Sequence, residues 1–163
     1  MEIECFNVAA AYGPITTDRA FVLIYAQDKG QYLAQLRKKD GTWSLPGGLV
    51  DGEETHKQAA LRETLEEIGV ELDPDQLIET LHGPLSSEYS CKIFLYVISK
   101  ADELNMALCP IEVEDVRWST LENWPEPAHT QMRGLIDRAK QHILSQTTSR
   151  ISANQPNWEQ HPN

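Results

Sequence analysis

The sequence predicts one domain of mixed α and β structure. Residues 19–27 and 91–99 are apolar runs of strand length with a single charged residue each, a pattern typical of strands buried on both faces. Between them, residues 56–68 place acidic and apolar side chains at helical spacing. At 163 residues and 40% hydrophobic content, the chain can bury a core without disulfides or a structural metal.

The first strands are predicted to form a hairpin. Residues 19–27 lead into the turn sequence Asp28-Lys29-Gly30, and residues 31–38 return with alternating apolar and polar side chains. A further strand is expected at Phe6 to Tyr12, before Gly13-Pro14.

The central helix carries its own start and stop signals. Thr55 and Gln58 have the spacing of a capping box, so the helix should begin at about His56, and Gly69 should end it. At about 100° per residue, three carboxylates share one arc and three apolar residues lie on the opposite side. The acidic arc consists of Glu63, Glu66 and Glu67. The expected core face consists of Leu61, Leu65 and Ile68.

The acidic arc calls for a compensating cation, because like charges at i, i+4 destabilise a helix. Oxygen ligands suit Mg²⁺ and Mn²⁺, so the arc could hold a metal. Residues 47–79 contain ten acidic residues against Lys57 and Arg62, which concentrates negative charge around the arc. A solvated charged face is the alternative interpretation.

The later elements follow from the same patterns. Strands are predicted at residues 77–85 and 91–99, and residues 111–118 should be a loop leading into a strand. A last helix is expected over residues 128–144, with Met132 packed in its apolar stripe. Residues 146–163 lack periodicity and are expected to form a tail.

The residues around the helix fit a longer pattern. Gly48 is followed after five residues by Glu54, after seven more by Arg62-Glu63, and then by Glu66-Glu67 and Gly69-Val70. This pattern resembles the Nudix box, with Thr64 at a position where the family has an aliphatic residue, and the lead-in Trp43-Ser44-Leu45-Pro46-Gly47-Gly48 is also similar. The resemblance covers about residues 19–125. It implies an α/β/α sandwich with a mixed β-sheet and the box helix packed on it.

The resemblance also implies an activity, the hydrolysis of a nucleoside diphosphate linked to another group, with Mg²⁺ or Mn²⁺ as cofactor. It assigns Glu66 and Glu67 as leading metal ligands and Glu63 as a third ligand or the base that activates water. The Gly47 carbonyl becomes a further ligand, while Glu54 and Arg62 brace the loop and helix. Gly48 and Gly69 are structural positions of the box.

Further site residues lie outside the box. The family often places a glutamate in the region of Glu112, with Glu114 as the alternative; a solvated loop acid is the other interpretation. Arg37, in the charge run before the box, is a candidate phosphate contact, although such runs are usually solvated. The stretch Trp124-Pro125-Glu126 loosely resembles a purine-binding stretch of Nudix enzymes that clear oxidised purine triphosphates. It makes Trp124 and Glu126 candidate substrate-binding residues, with core packing of Trp124 as the alternative.

Several functions stay open. A nucleoside triphosphate, including an oxidised purine triphosphate, is the favoured substrate; ADP-ribose, a nucleotide sugar or a dinucleoside polyphosphate are alternatives, because Pro84 and Tyr89 lie near family positions linked to such substrates without fitting cleanly. A non-catalytic nucleotide sensor is a rival of another class, although the intact carboxylates argue against it. A diphosphate isomerase is disfavoured, since no cysteine is placed persuasively for catalysis.

Charge and cysteine content bear on partners and location. The net charge of -11 argues against nucleic-acid and anionic-membrane surfaces, so we expect a small nucleotide as the partner. Three cysteines without metal-type spacing, and a start with no signal-peptide pattern, favour the cytoplasm. The sequence leaves a homodimer open. We expect a lead segment at residues 1–18, the catalytic domain at 19–145 and a tail at 146–163.

Overall fold

A mixed β-sheet carries the site-bearing loop and helix. The structure is a computed structural model that describes residues 17–84 and 89–129. In this part of the chain it contains seven strands, one α-helix and two short 3₁₀ turns, Pro74–Gln76 and Ala101–Glu103. The strands are β1 Thr17–Ala26, β2 Gln31–Arg37, β3 Trp43–Ser44, β4 Gly47–Leu49, β5 Ile78–Pro84, β6 Tyr89–Ile98 and β7 Val113–Ser119. The helix α1 spans His56–Ile68.

Strand β1 is the centre of the sheet. It pairs in parallel with β6 over its full length, and the strand order is β3-β2-β1-β6-β5. Its other edge pairs antiparallel with β4 at one end and with β2 at the hairpin end, where Tyr25 faces Tyr32. Strand β7 pairs with β2 on the side away from β3. The predicted hairpin and the strands predicted between residues 19 and 118 are therefore confirmed.

Both faces of β1 are buried, as its continuous apolar run predicts. Val22 and Ile24 face the layer that contains α1, whereas Phe21 and Leu23 face a second apolar layer with Trp43. Burying a side chain of this size contributes about 1.5 to 3 kcal/mol. Because its side chains alternate between the two faces of the sheet, β1 packs against both apolar layers.

The ends of α1 are where the sequence places them. The Thr55 hydroxyl accepts from the Gln58 N–H at 3.1 Å, and the Gln58 side chain accepts from the Thr55 N–H at 2.9 Å. At the other end Gly69 adopts the left-handed conformation, φ 71°, and donates its N–H to the Leu65 carbonyl. The capping box and the glycine stop are confirmed.

The predicted core face of α1 is wrong in part. Leu65 is 48% exposed, because the helix is turned so that smaller residues meet the sheet. The buried residues of the helix are Ala59, Ala60, Thr64, Glu67 and Ile68. Alanine and threonine let the helix approach β1 and β4 closely, and the Thr64 hydroxyl donates to the Ala60 carbonyl at 2.7 Å. This rotation also carries one of the three carboxylates, that of Glu67, into the core.

Some sequence expectations concern the ends of the chain. The strand at Phe6 to Tyr12, the tail and nearly all of the last helix lie outside the described residues. Ala128, the expected start of that helix, instead forms a parallel bridge with Trp43 and is not helical. Cys109 is a free thiol. Among the residues described, no helix is long and apolar enough to cross a membrane.

Candidate active site

The candidate site lies where the loop between β4 and α1 meets the acidic side of the helix. Strand β4 pairs with the start of β1, and α1 packs against both strands. A backbone hydrogen bond from Val50 to Asp18 anchors the loop after β4. The glycine-rich entry and the helix are therefore held together by the central strand.

Arg62 connects the loop to the helix. Its guanidinium makes two hydrogen bonds to the Glu54 carboxylate, at 2.7 and 3.0 Å, and one to the Leu49 carbonyl at 3.0 Å. The same side chain donates from one nitrogen, Nη1, to Glu63 at 2.9 Å and to Glu66 at 3.1 Å. Arg62 thus binds loop and helix at once.

These contacts change the charge state of the pair. The hydrogen bond from Arg62 lowers the pKa of the Glu54 carboxyl, and the bond to Glu54 raises the pKa of Arg62. Both groups are therefore charged near neutral pH. A forked guanidinium against a carboxylate is a strong, directional contact, which fits the bracing role that the sequence predicts for both residues.

Glu63 lies directly against the loop. A Cβ atom on Gly48 would collide with Glu63 Oε2, so only glycine lets the carboxylate approach the loop backbone this closely. Burial raises the pKa of the Glu63 carboxyl to about 7, despite the opposing effect of Arg62.

Glu67 is the buried member of the acidic arc, with 8% of its surface exposed. Its Oε1 accepts two hydrogen bonds, from the Gly47 N–H at 2.9 Å and from the Gln35 side-chain amide at 2.9 Å. Burial raises the pKa of the Glu67 carboxyl to about 8, although both hydrogen bonds oppose that shift. Sequence reasoning missed Gln35, because its alternating strand pattern does not show that it faces a helix 32 residues away.

The oxygen donors present suit a divalent cation. Glu63 and Glu67 are carboxylates taken partly or largely out of water, and a nearby cation would stabilise their charged forms. Glu66 is exposed. Within residues 17–84 and 89–129, no three acidic, histidine or cysteine side chains are already gathered as a metal-binding group, since Glu63 and Glu66 both turn to Arg62. A bound cation would have to compete with that guanidinium.

The loop before β7 brings a further acid near this site. The Cys109 N–H donates to the Glu67 carbonyl at 2.9 Å, and the Glu112 N–H closes a turn on the Cys109 carbonyl. The charge of Glu112 contributes to the raised pKa of Glu67, whereas that of Glu114 is not among the causes. Of the two downstream candidates, Glu112 is therefore the one whose charge reaches the buried carboxylate. Lys38 holds this loop by bonds to the Pro110 and Glu112 carbonyls.

Arg37 does not join the acidic arc. It forms an ion pair with Asp40 at 3.3 Å, and Asp40 also lies 3.6 Å from the His129 ring. Burial lowers the pKa of His129 and the charge of Arg37 lowers it further. The phosphate-contact role of Arg37 stays a prediction.

Trp124 lies in the core. Only 8% of it is exposed, its ring packs in the layer that contains Phe21 and Trp43, and its indole N–H donates to the Trp43 carbonyl at 3.3 Å. Glu126 is exposed, and its side chain accepts from the Ala128 N–H at 3.3 Å. The burial of Trp124 favours its core-packing interpretation over a base-stacking role, and both substrate contacts stay predictions.

We expect Trp124→Ala to destabilise the protein by about 3 to 5 kcal/mol, the usual range for removing a buried aromatic ring. Thermal melting measures this loss, and Trp118→Ala on the half-buried Trp118 is the matched control with a smaller effect. A Trp124→Ala protein with an unchanged Tm and a raised KM for purine nucleotides would instead assign the ring to the substrate.

The stability of the metal-free protein should fall as pH rises from about 5 to about 8. Below pH 4.5, the ordinary pKa of this carboxyl, Glu67 is protonated in both the folded and the unfolded state. Above that pH the carboxyl ionises in the unfolded chain, whereas in the folded protein its pKa is about 8 and it keeps its proton. Rising pH therefore favours the unfolded state until the buried group also ionises. Melting curves in EDTA should show this decline in the wild type and a smaller one in Glu67→Gln; equal slopes would contradict the raised pKa.

Comparison with known proteins places this geometry in context. A protein-family model described as the NUDIX domain matches residues 16–139. The "MutT-like protein" of Streptomyces ambofaciens is 33% identical over 73 residues, which cover 42% of this chain and 47% of the relative. The "8-oxo-dGTP diphosphatase" of Proteus vulgaris is 34% identical over 64 residues, 39% of this chain and 57% of the relative. The chain thus spans about half the length of the curated relatives it matches.

Solved structures share the fold. The MutT protein from Methanosarcina mazei Go1 is 23% identical with a TM-score of 0.61, and the match covers 79% of this chain and 96% of that one. The C. elegans Ap4A hydrolase is 26% identical with a TM-score of 0.58 and coverage of 80% and 98%. The predicted mixed sheet with the box helix packed on it is confirmed.

Proposed function

The chain belongs to the Nudix family, and from this premise we propose that it is a divalent-metal-dependent pyrophosphohydrolase acting on nucleoside triphosphates, oxidised purine triphosphates among them. Water would cleave a phosphoanhydride bond of the triphosphate and yield a nucleoside monophosphate and inorganic pyrophosphate. The observation that carries the proposal is the pair of carboxylates at the loop entry: buried Glu67, which accepts from the Gly47 N–H, and half-buried Glu63, which lies against Gly48.

The carboxylates of the helix would hold the metal. Glu66 and Glu67 are the leading ligands, Glu63 is a further ligand and the Gly47 carbonyl completes the protein's oxygen donors. When bound, Mg²⁺ or Mn²⁺ neutralises phosphate charge and lowers the pKa of water. The raised pKa values of Glu63 and Glu67 support this assignment, because burial disfavours their charged forms and a bound cation would stabilise them.

The chain's own residues prepare the site for that chemistry. Arg62 lies on the helix and binds the loop residue Glu54. One of its nitrogens, Nη1, donates to both Glu63 and Glu66. The pKa of Glu63 is about 7, close to neutral pH, which suits a group that accepts a proton from water. Glu112, whose charge contributes to the raised pKa of Glu67, is a second candidate for the base.

Substrate choice draws support from the relatives rather than from a pocket in the structure. Two of them, from Proteus vulgaris and Bacillus subtilis, carry the name 8-oxo-dGTP diphosphatase, the second as putative, and this favours oxidised purine triphosphates. A screen of nucleoside triphosphates, oxidised purine triphosphates, ADP-ribose, nucleotide sugars and dinucleoside polyphosphates with Mg²⁺ or Mn²⁺ tests the choice. Preferential cleavage of ADP-ribose or a dinucleoside polyphosphate would overturn it.

We expect Glu112→Gln to lower kcat by about 10²- to 10⁴-fold if this residue is the base, and Glu114→Gln to leave kcat nearly unchanged. Glu112 is the favoured candidate because its charge is among the causes that raise the pKa of Glu67. Both side chains are exposed, so neither change should lower the Tm. Steady-state kinetics of the two variants test this prediction. Normal turnover in both would mean that the catalytic acids all lie on the box helix.

A further inference from the structure

Gln35 is a buried polar residue that the mechanism above does not use. It lies on β2, opposite Ser44 of β3 on one side and Val116 of β7 on the other, and is 2% exposed. Pairing on both edges fixes its backbone. A buried strand position of this kind normally holds an apolar side chain, so the amide requires a physical reason.

The amide is oriented by its partner. Once Glu67 is ionised, as a metal ligand must be, its carboxylate can only accept hydrogen bonds, and the NH₂ group of Gln35 donates to it at 2.9 Å. The carbonyl oxygen, Gln35 Oε1, is buried and has no hydrogen-bond partner within the described part of the chain. Leaving a buried acceptor unpaired lowers the stability of the folded state. The contact with Glu67 is therefore kept at the expense of stability.

Both donors to Glu67 converge on a single oxygen. The Gly47 N–H and the Gln35 amide each donate to Oε1, one from the loop and one from the sheet. Two donors from different elements thus hold the carboxylate, and neither of these bonds engages its other oxygen, Oε2. Groups that orient a metal-binding side chain in this way typically change metal affinity or activity by 10- to 100-fold when they are lost.

We propose that Gln35 is a positioning residue that holds the Glu67 carboxylate so that Oε2 is presented to a divalent cation. The proposal rests on the proposed metal-dependent function. A residue that only bridged β2 and α1 would stabilise the fold, whereas a positioning residue with an unpaired carbonyl would not. The melting temperature of a variant without the amide distinguishes the two roles.

The test compares Gln35→Met, which keeps the length of the side chain and removes the amide, with Gln35→Asn, which withdraws the amide from Glu67 by one methylene. Thr80→Val is the matched control, because Thr80 is also buried, carries an unpaired hydroxyl and lies on β5. Mn²⁺ binding to the full chain is measured from the electron paramagnetic resonance signal of the free ion, and Tm is measured in EDTA.

We expect the Kd for Mn²⁺ to rise about 10- to 100-fold in both Gln35 variants and to stay unchanged in Thr80→Val. The Tm of Gln35→Met should equal or exceed that of the wild type, because the unpaired carbonyl is gone. At saturating Mn²⁺, kcat should fall while KM stays the same.

Wild-type Mn²⁺ affinity in the Gln35 variants, or a Gln35→Met protein that melts well below the wild type with its Mn²⁺ affinity intact, would overturn the positioning role and leave the proposed function standing. If Gln35→Met does not fold, normal Mn²⁺ binding by Gln35→Asn has the same consequence. A wild-type chain that binds no Mn²⁺ would overturn the proposed function and the role of Gln35 together.

Discussion

Glu67→Gln is expected to lower kcat by about 10²- to 10⁴-fold, the range typical of an essential proton-transfer group and a conservative one for a metal ligand. Glutamine keeps the shape of the side chain, and its carbonyl can still accept from the Gly47 N–H and the Gln35 amide. It cannot provide the negative charge that a metal needs. The substitution therefore separates charge from packing at one position.

The same change should not destabilise the protein. Glu67 is 8% exposed, and removing a charge that has been taken out of water is often neutral or stabilising. The Tm in EDTA at pH 8 should equal or exceed that of the wild type. Glu71→Gln, an exposed acid just after the helix, is the matched control for kinetics and melting. Near-normal turnover in a folded Glu67→Gln protein would remove Glu67 from the site.

Arg62→Met is expected to lower both stability and turnover. The guanidinium holds Glu54, Glu63 and Glu66 and also reaches the Leu49 carbonyl, so its loss leaves carboxylates close together without a counter-charge. Removing one partner of a buried pair costs about 3 to 5 kcal/mol, and the 28% exposure of Arg62 reduces this to roughly 3 kcal/mol. For a chain of this size that corresponds to about 6 to 12 °C in Tm.

Turnover of Arg62→Met should fall about 10- to 100-fold even below the lowered Tm, because loop and helix lose their register. Lys57→Met, at an exposed position on the same helix, controls for the loss of a positive charge. An Arg62→Met protein with the wild-type Tm and kcat would show that the guanidinium contacts are incidental.

The sequence predicted the local features well. The capping box at Thr55 and the stop at Gly69 depend on neighbours within four residues, and both are confirmed. The apolar runs of β1 and β6 are uninterrupted because both strands are covered on both faces, so the sequence pattern predicts these strands too.

Features set by tertiary packing were less accessible. Leu65 was assigned to the core from helical spacing alone, but the small side chains of Ala59 and Ala60 let the helix turn a different face to the sheet. The burial of Glu67 follows from that rotation. The pairing of Gln35 with Glu67 joins β2 to α1 across the fold, and no local pattern encodes it. Likewise, Ala128 is drawn into a bridge with Trp43 instead of starting a helix.

Identifying the products formed from a nucleoside triphosphate in the presence and absence of a divalent metal tests the central claim most directly. We predict that the full chain with Mg²⁺ or Mn²⁺ converts an oxidised purine triphosphate into the nucleoside monophosphate and inorganic pyrophosphate, and that EDTA abolishes the reaction. If circular dichroism shows a folded chain and no nucleotide derivative is cleaved with either metal, the proposed function is contradicted. Cleavage at an unchanged rate in EDTA would contradict it as well.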